Sequence, residues 1–286
     1  MAPRVLLTGF GPFPGVDENP SGWLAETLTA RTPEGGLDLH GQILPTEWDA
    51  VAARTPQLYA DLEPDVMIHF GVSQTAKALR IEHSAHNRAL RRADARGALP
   101  PKSAISPNGQ PRLDSGLPVN ALAAHLRAQG HGANASRSCG RYLCNYLYYR
   151  SLEWARERGR DTIFIHVPLM RAQGGDLEEK NLLSAAQEAL RFVVEARDAF
   201  ANLAGEVVDA ADAVRRSIPV RARLQLLERY RRDDDPTVVE MAIEFPRKEH
   251  GQIPRHGLLT RRGDVDPDVR RAVVQQRVVP ARLLVQ

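Results

Sequence analysis

Short runs of apolar residues alternate with amphipathic stretches over the first 70 residues of the chain. Three runs have the length and the apolar content of buried strands; they are PRVLLTG, LDLHGQILP and PDVMIHFGV. The stretches between them have apolar residues at helical spacing; they are NPSGWLAETLTAR and EWDAVAARTPQLYADL. We expect Pro56 to kink or end the second of these helices. The alternation predicts an α/β fold with a largely parallel sheet.

The pattern changes at residues 88–118, where Pro, Gly, Ser and Asn accumulate. We expect a long surface loop with short strands, and loops of this length in compact domains are often functional. Regular elements then return as helix, extended piece, helix, strand and helix; they cover VNALAAHLRAQG, GANASRS, RYLCNYLYYRSLEWARERG, DTIFIHVP and LEEKNLLSAAQEALRFVVEA. After about residue 200 the chain becomes rich in arginine with weak periodicity, so we predict a domain over 1–200 and a C-terminal extension over 201–286.

Composition narrows the function classes. The chain has 286 residues, of which 43% are hydrophobic, and this is enough for one sizeable core. A net charge of +3 does not indicate a nucleic-acid partner. No run of 18 apolar residues is present, so we expect no membrane span. The apolar patch at the N-terminus is too short for a signal peptide, and we expect a cytoplasmic protein.

The chain has two cysteines, Cys139 and Cys144. Two cysteines argue against a disulfide framework, and the absence of a CxxC pair weakens a thioredoxin-like redox function. The nine histidines are scattered, so we expect no metal site, and nothing indicates a cofactor. Two interpretations remain: buried structural thiols, or one catalytic nucleophile.

Three candidate residues lie at the ends of predicted elements. Cys144 lies near the start of a helix, His166 ends a strand, and Glu82 lies in a loop after the third strand. Ligands of parallel α/β sheets bind beyond the carboxyl ends of the strands, and a helix start stabilises a thiolate. The three side chains are the set that a thiol hydrolase needs. By spacing alone, each of them also fits an ordinary structural residue.

Four segments resemble the pyroglutamyl peptidase I (pyrrolidone-carboxylate peptidase) family of cysteine peptidases. They are LLTGFGPFPGVDENPS, IEHSAHN, GRYLCNYLYYRSL and FIHVP, in this order within residues 1–200. A single block could match by chance, but four in the right order are jointly specific. The resemblance implies a three-layer α/β/α sandwich with a mostly parallel central sheet. It also implies a catalytic domain that removes the N-terminal pyroglutamyl residue from small peptides.

By this resemblance, Cys144 is the nucleophile, His166 is the general base and acid, and Glu82 orients His166. Phe10 and Phe13 match aromatic residues that hold the pyroglutamyl lactam ring, although without the resemblance they would be plain core residues. The lactam is flat and uncharged, so it suits an apolar slot in which the ammonium of an ordinary N-terminus is disfavoured. Members of this family often form homo-oligomers.

Several neighbouring residues have expected roles of their own. We expect Asn19 to support its loop, His69 to be structural, and neither His83 nor His86 to be catalytic. Cys139 is expected to be an inert neighbour of the nucleophile. Backbone N–H groups at the helix start would hold the oxyanion.

Some segments depart from the family pattern. Arg137 and Cys139 stand where members often have an amide residue and alanine, and GVSQTAKALRIEHSAHNRAL lacks a Gly-Gly-Arg pattern. The extension 201–286 has no counterpart that we recognise. Two other functions therefore stay open: a catalytically silent binding protein on the same scaffold, and a thiol hydrolase acting on another cyclic amide. Nucleic-acid binding through the extension is a minor alternative.

Overall fold

The computed structural model describes residues 2–31 and 36–217 of the chain. Its strands are β1 (Arg4–Phe10), β2 (Asp38–Leu44), β3 (Val66–Val72), β4 (Leu79–Glu82), β5 (Ser84–His86), β6 (Arg112–Asp114), β7 (Ala133–Ser136) and β8 (Asp161–Val167). Its α-helices are α1 (Pro20–Ala30), α2 (Trp48–Leu62), α3 (Val119–Ala128), α4 (Leu143–Arg158) and α5 (Glu179–Ser217). Residues 218–286 of the predicted extension lie outside the described residues.

Six strands form one mixed sheet in the order β2-β1-β3-β8-β4-β7. Strands β2, β1, β3 and β8 are mutually parallel. Strand β4 runs antiparallel to β8 and parallel to β7. A separate two-stranded sheet joins β5 to β6. The mostly parallel sheet confirms the α/β class that the alternating pattern predicted.

Helices cover both faces of the large sheet, as alternate residues of β1 show. A Cβ on Gly9 would lie 2.0 Å from the Ser21 carbonyl oxygen, so α1 packs directly on that face. Leu6 and Phe10 point to the other face, where they join a buried cluster with residues of α2 and α4. Because successive side chains of a strand point to opposite faces, one strand supplies both cores.

Helix α4 is fixed to its surroundings by tyrosine hydroxyl groups. Tyr148 Oη donates to the carbonyl oxygen of Glu82 at 3.0 Å, and Tyr149 Oη donates to that of Gln110 at 2.7 Å. Both rings are buried in the cluster between α2, α4 and the sheet. The second turn of α4 is therefore held against β4 and against the long loop at residues 87–111.

Helix α2 does not end at Pro56 but continues to Leu62. Proline lacks the N–H that would bond the preceding turn. The helix nevertheless buries Val51 before Pro56 and Leu58 and Tyr59 after it. Burial of this apolar face on both sides outweighs the lost hydrogen bond.

The last helix is longer than the sequence pattern predicted. Helix α5 begins at Glu179 and continues to Ser217, so the boundary predicted at residue 200 falls inside a helix. Residues 1–196 form one compact unit, and the chain from Arg197 onward belongs to a second. The division into a catalytic domain and an extension stays a prediction.

Candidate active site

Cys144 is the second residue of α4, at the edge of the sheet where β3 and β8 end. Tyr142 precedes the helix with extended backbone angles, and its side chain forms no capping hydrogen bond. Tyr142 therefore leaves the N–H groups of the first turn uncapped, and the helix dipole favours an anion there. The thiol is partly exposed and free of any disulfide. Its position suits a nucleophile that must meet a substrate.

His166 stands next to the thiol, with a carboxylate behind it. Its Nδ1 lies 2.8 Å from Oε1 of Glu82, whose side chain is fully buried. Burial alone would lower the pKa of the imidazole, but hydrogen bonds to Cys144 and Glu82, and their charges, raise it to about 9. A pKa raised in this way favours the protonated imidazole at neutral pH.

The sheet register brings these groups together. Gly71, His166 and Arg80 are side-by-side partners on the neighbouring strands β3, β8 and β4. A Cβ on Gly71 would lie 2.9 Å from Cys144 Sγ and 2.7 Å from the Phe164 ring. Glycine at this position leaves the space that the thiol occupies beside His166.

Glu82 lies in a strand, and the expectation of a loop position was wrong. It ends β4, which pairs with β8 so that Glu82 lies opposite Phe164, two residues before His166. Residues two apart on a strand share a face, so the carboxylate stands beneath the imidazole. A short strand thus holds the carboxylate more rigidly than a loop would.

Arg80 is a charged neighbour of the site that the sequence analysis missed. Its Nε lies 3.8 Å from Oε1 of Glu82, and its Nη2 donates to Ser136 Oγ at 3.2 Å. Oε2 of Glu82 is buried and has no hydrogen-bond partner within the described part of the chain. Arg80 therefore supplies a cation beside a carboxylate that is only partly satisfied. The i, i+2 spacing of Arg80 and Glu82 was the available signal, but it required the recognition of β4.

Cys139 lies in the buried cluster beside the site. Burial raises the pKa of its thiol well above the usual value, and the nearby Cys144 and Glu82 raise it further. The thiol is therefore protonated at neutral pH and shielded from solvent. These properties agree with the expected inert neighbour.

Phe10 and Phe13 differ in their surroundings. Phe10 is 3% exposed and packs in the cluster between the sheet and α4. Phe13 is partly exposed in the turn after β1, where its backbone exchanges hydrogen bonds of 3.1 and 2.8 Å with Val16. Phe10 is the last residue of β1 and Phe13 follows it. The carboxyl end of β1 lies at the same edge of the sheet as Cys144.

Asn19 supports the same turn. Its Oδ1 accepts from the backbone N–H of Ser21 at 3.1 Å and caps α1, and its Nδ2 donates to the Gly11 carbonyl at 2.9 Å. Asn19 thus links the first helix to the loop that carries Phe13, as expected for a loop-supporting residue.

The remaining histidines of this region lie apart from the thiol chemistry. His69 is fully buried, its Nδ1 lies 2.8 Å from Thr8 Oγ1, and burial lowers its pKa to about 3. His83 is bonded through Nε2 to Asn120 Oδ1 at 3.1 Å. Within the ranges that the structure describes, no group of three His, Cys, Asp or Glu residues could hold a metal ion.

Asn145 is a second residue whose role the sequence did not reveal. Its fully buried amide accepts from the His86 N–H at 2.8 Å and donates to the carbonyls of His86 and Arg88 at 2.9 and 3.1 Å. It follows Cys144 directly, so it fastens the start of the long loop to the first turn of α4.

A partly exposed thiol at a helix start, an imidazole beside it and a buried carboxylate behind the imidazole form the arrangement of enzymes that use a covalent thioester. On an α/β sheet, this arrangement defines the class of cysteine hydrolases. The family model described as Pyroglutamyl peptidase matches residues 3–202, well over half of the chain. The chain belongs to the pyroglutamyl peptidase family, and the resemblance of its four segments is confirmed.

Curated relatives and solved structures agree with the family. Pyroglutamyl-peptidase 1 of Rattus norvegicus is 31% identical over 196 residues, which cover 67% of this chain and 92% of that protein. Pyrrolidone-carboxylate peptidase of Clavibacter michiganensis is 32% identical over 174 residues, 58% of this chain and 78% of the relative. The structure of pyrrolidone carboxyl peptidase from Thermococcus litoralis has a TM-score of 0.63 and 26% identity, covering 68% of this chain and 94% of that one. The structure of pyroglutamyl peptidase I from Bacillus amyloliquefaciens has a TM-score of 0.64 and 25% identity, and the match covers 68% of this chain and 98% of that one.

Proposed function

We propose that this protein is a cysteine exopeptidase, an omega peptidase that hydrolyses the N-terminal pyroglutamyl residue from small peptides. The observation that carries the proposal is the grouping of Cys144, His166 and Glu82. Nδ1 of His166 lies 2.8 Å from Oε1 of Glu82, and Gly71, the strand partner of His166, leaves the space that the Cys144 thiol occupies. Membership of the pyroglutamyl peptidase family supports the substrate.

The first half of the reaction forms a thioester. The Cys144 thiolate attacks the carbonyl carbon of the pyroglutamyl residue, and backbone N–H groups at the start of α4 receive the oxyanion. The His166 imidazolium then gives its proton to the departing amine as the peptide C–N bond breaks. Glu82 keeps the imidazole oriented through Nδ1 and stabilises its positive charge.

The second half releases pyroglutamate. A water molecule gives a proton to the now neutral His166 and attacks the thioester carbon. The C–S bond breaks, the thiolate of Cys144 leaves, and the thiolate–imidazolium pair is restored. The reaction consumes one water molecule per peptide bond, and every proton transfer passes through His166.

The lactam slot is assigned to Phe10 and Phe13. The partly exposed ring of Phe13 is available to a ligand, whereas Phe10 is buried in the neighbouring core. A flat uncharged ring gains from such a surface, whereas burial of an ammonium costs several kcal/mol. Selectivity then needs no charged side chain in the slot.

We also propose that the enzyme acts in the cytoplasm. Cys139 and Cys144 are both free thiols, and a reducing compartment preserves a thiolate nucleophile.

The test compares fluorophore release from a pyroglutamyl amide with release from the matching prolyl and glutaminyl amides. We expect hydrolysis of the pyroglutamyl compound alone, and a loss of about 10³-fold or more in Cys144→Ser. Cys139→Ala is the matched control, because it removes the other thiol and should retain activity. Phe13→Ala should raise KM while the protein stays folded.

Two results would contradict the proposal. A folded wild type that releases no fluorophore would favour a binding protein on this scaffold. Equal hydrolysis of the prolyl and pyroglutamyl amides would leave the thiol chemistry in place but remove the lactam slot.

A further inference from the structure

Arginines are concentrated in the two segments that meet at the start of α4. Residues 86–96 and 137–145 contain a single acidic residue, Asp94, and six arginines: Arg88, Arg91, Arg92, Arg96, Arg137 and Arg141. The whole chain has 38 basic and 35 acidic residues, so this excess is local.

The hydrogen bonds of Asp94 go to backbone groups rather than to arginine side chains. Its side chain is buried and accepts backbone N–H groups, from Trp48 at 2.9 Å through Oδ2 and from Arg96 and Ala98 at 2.9 Å through Oδ1. Its charge is therefore used to shape the loop. Arg96 has its own partner, since its Nη1 lies 3.4 Å from Glu47.

Backbone hydrogen bonds place two of the arginines next to the nucleophile. The carbonyl of Arg88 accepts from Nδ2 of Asn145, the residue after Cys144, at 3.1 Å. The carbonyl of Arg141, three residues before Cys144, accepts from the Leu90 N–H at 2.6 Å. Both side chains are exposed. These bonds fix the backbones of both arginines where the long loop meets the start of α4.

A third arginine is held by an aromatic ring. The guanidinium carbon of Arg92 lies 5.2 Å from the centroid of the Tyr142 ring, within cation–π range. Tyr142 is the residue before α4, and its hydroxyl donates to the Ala93 carbonyl at 3.0 Å. The contact holds the long Arg92 side chain against Tyr142, which lies two residues before Cys144 in the sequence.

Arg88, Arg92 and Arg141 together form a cationic rim around the start of α4. For none of the three does the structure give an ion-pair partner among the residues it describes. The pyroglutamyl ring is uncharged and cannot use these cations. The rest of the substrate, on the side of the departing amine, is the part that can carry a complementary charge.

We propose that the cationic rim makes the enzyme selective for peptides with an acidic residue close after the pyroglutamyl residue. This inference rests on the proposed function and adds to it the class of peptide that is preferred. Guanidinium groups bind carboxylates through paired hydrogen bonds and attract them over several ångströms. Because the rim is exposed, the preference is modest and depends on ionic strength.

The experiment measures kcat/KM for three pyroglutamyl tetrapeptides. They have Glu, Gln or Lys at the same position after the pyroglutamyl residue and are otherwise identical. Glu and Gln have the same shape, so their ratio isolates the charge. At about 20 mM salt we expect the Glu peptide to exceed the Gln peptide by about three- to tenfold and the Lys peptide to be slower still. At about 1 M salt the ratio should approach one.

Variants locate the source of the preference. Arg141→Gln removes a cation but leaves the backbone hydrogen bond to Leu90 intact, and Arg92→Gln removes a second cation. Each should lower the Glu-to-Gln ratio, and Arg92→Lys should restore part of it. Arg54→Gln is the matched control, because Arg54 is exposed on α2 and donates to Gln42 at 3.3 Å; it should leave the ratio unchanged.

The outcomes separate this inference from the proposed function. If no pyroglutamyl peptide or amide is cleaved, the proposed function fails. If all three peptides are cleaved equally at low salt, or the Lys peptide is best, the function stands and the rim preference is refuted. A preference that survives 1 M salt, or that is unchanged in both Arg141→Gln and Arg92→Gln, refutes the rim as its source.

Discussion

The charge of His166 depends on both Cys144 and Glu82. The pKa of His166 is raised to about 9 because Cys144 and Glu82 favour the cation more strongly than burial disfavours it. The imidazole therefore keeps its proton until about pH 9 and can donate it to a leaving amine below that value. We expect kcat/KM to fall on the alkaline side with an apparent pKa near 9.

The variant Glu82→Gln tests whether Glu82 raises the pKa of His166. It removes the negative charge but keeps the size of the side chain, so the imidazolium loses part of its stabilisation. The alkaline limb should move to lower pH, and the rate near neutral pH should fall by about 10²-fold or more. The profile is measured between pH 5 and 10.5. Glu188→Gln on α5 is the control and should leave the profile unchanged. If the alkaline pKa of kcat/KM were also unchanged in Glu82→Gln, Glu82 would not support the charge of His166.

Strand β3 makes room for the nucleophile at Gly71. In Gly71→Ala the new methyl group would lie 2.9 Å from Cys144 Sγ and 2.7 Å from the Phe164 ring, so the thiol or the ring must move. Displacement of a reacting atom by about 1 Å can cost about 10²-fold in rate. We expect kcat to fall at least tenfold while the circular dichroism spectrum is retained.

Gly116→Ala is the matched control for Gly71. Its methyl group would meet only Asp161 Oδ1 at 3.6 Å, an ordinary contact. If Gly71→Ala were as active as Gly116→Ala, the thiol would not occupy the space above β3 during catalysis.

Helix α4 and the long loop are joined by Asn145. Asn145→Ala leaves the backbone N–H and carbonyl of His86 and the carbonyl of Arg88 without this partner. Loss of buried partners costs about 1–3 kcal/mol each where no water replaces them, so we expect about 3 kcal/mol less free energy of unfolding in urea. The control is Asn120→Ala, which removes the exposed bond to His83. It should change the free energy of unfolding by less than about 0.5 kcal/mol. Equal stability of the two variants would contradict this anchoring role.

Across the whole molecule, local patterns predicted the elements that carry Cys144 and His166. Each is a strongly patterned segment: an aromatic helix closed by Gly159, which adopts a left-handed conformation, and a continuous apolar strand. The strand that carries Arg80 and Glu82 was missed, because its four residues, LRIE, are too short to show a period. That strand exists through pairing with β8, about 80 residues later along the chain. Such long-range register is not encoded in any local stretch.

The length of α5 was missed for a different reason. Its amphipathic pattern weakens after about residue 200, yet the helix continues to Ser217. The five alanines in 201–217 have the highest helix propensity, and they continue a helix that packing has already nucleated. A boundary inferred from composition therefore fell inside a continuous element.

The last prediction concerns the unit that carries the activity. The family match ends at residue 202, and Cys144, His166 and Glu82 all lie within the compact unit of residues 1–196. A chain ending at Ser217, which keeps α5 whole, should therefore fold and cleave the pyroglutamyl amide within about twofold of the full chain. A chain ending at Leu190 should lose stability, because it removes the buried side chains of Phe192 and Val193, and large apolar groups of this kind contribute about 1.5–3 kcal/mol each.

The test compares the activity and the melting temperature of the full chain, the chain ending at Ser217 and the chain ending at Leu190. If the chain ending at Ser217 were inactive while the full chain is active, residues 218–286 would be part of the catalytic unit, and the predicted division of the chain would be wrong. If the chain ending at Leu190 were as stable as the others, the C-terminal part of α5 would add nothing to the core. The expected order, with a loss only after the cut at Leu190, would place the C-terminal boundary of the active unit between residues 190 and 217, inside α5.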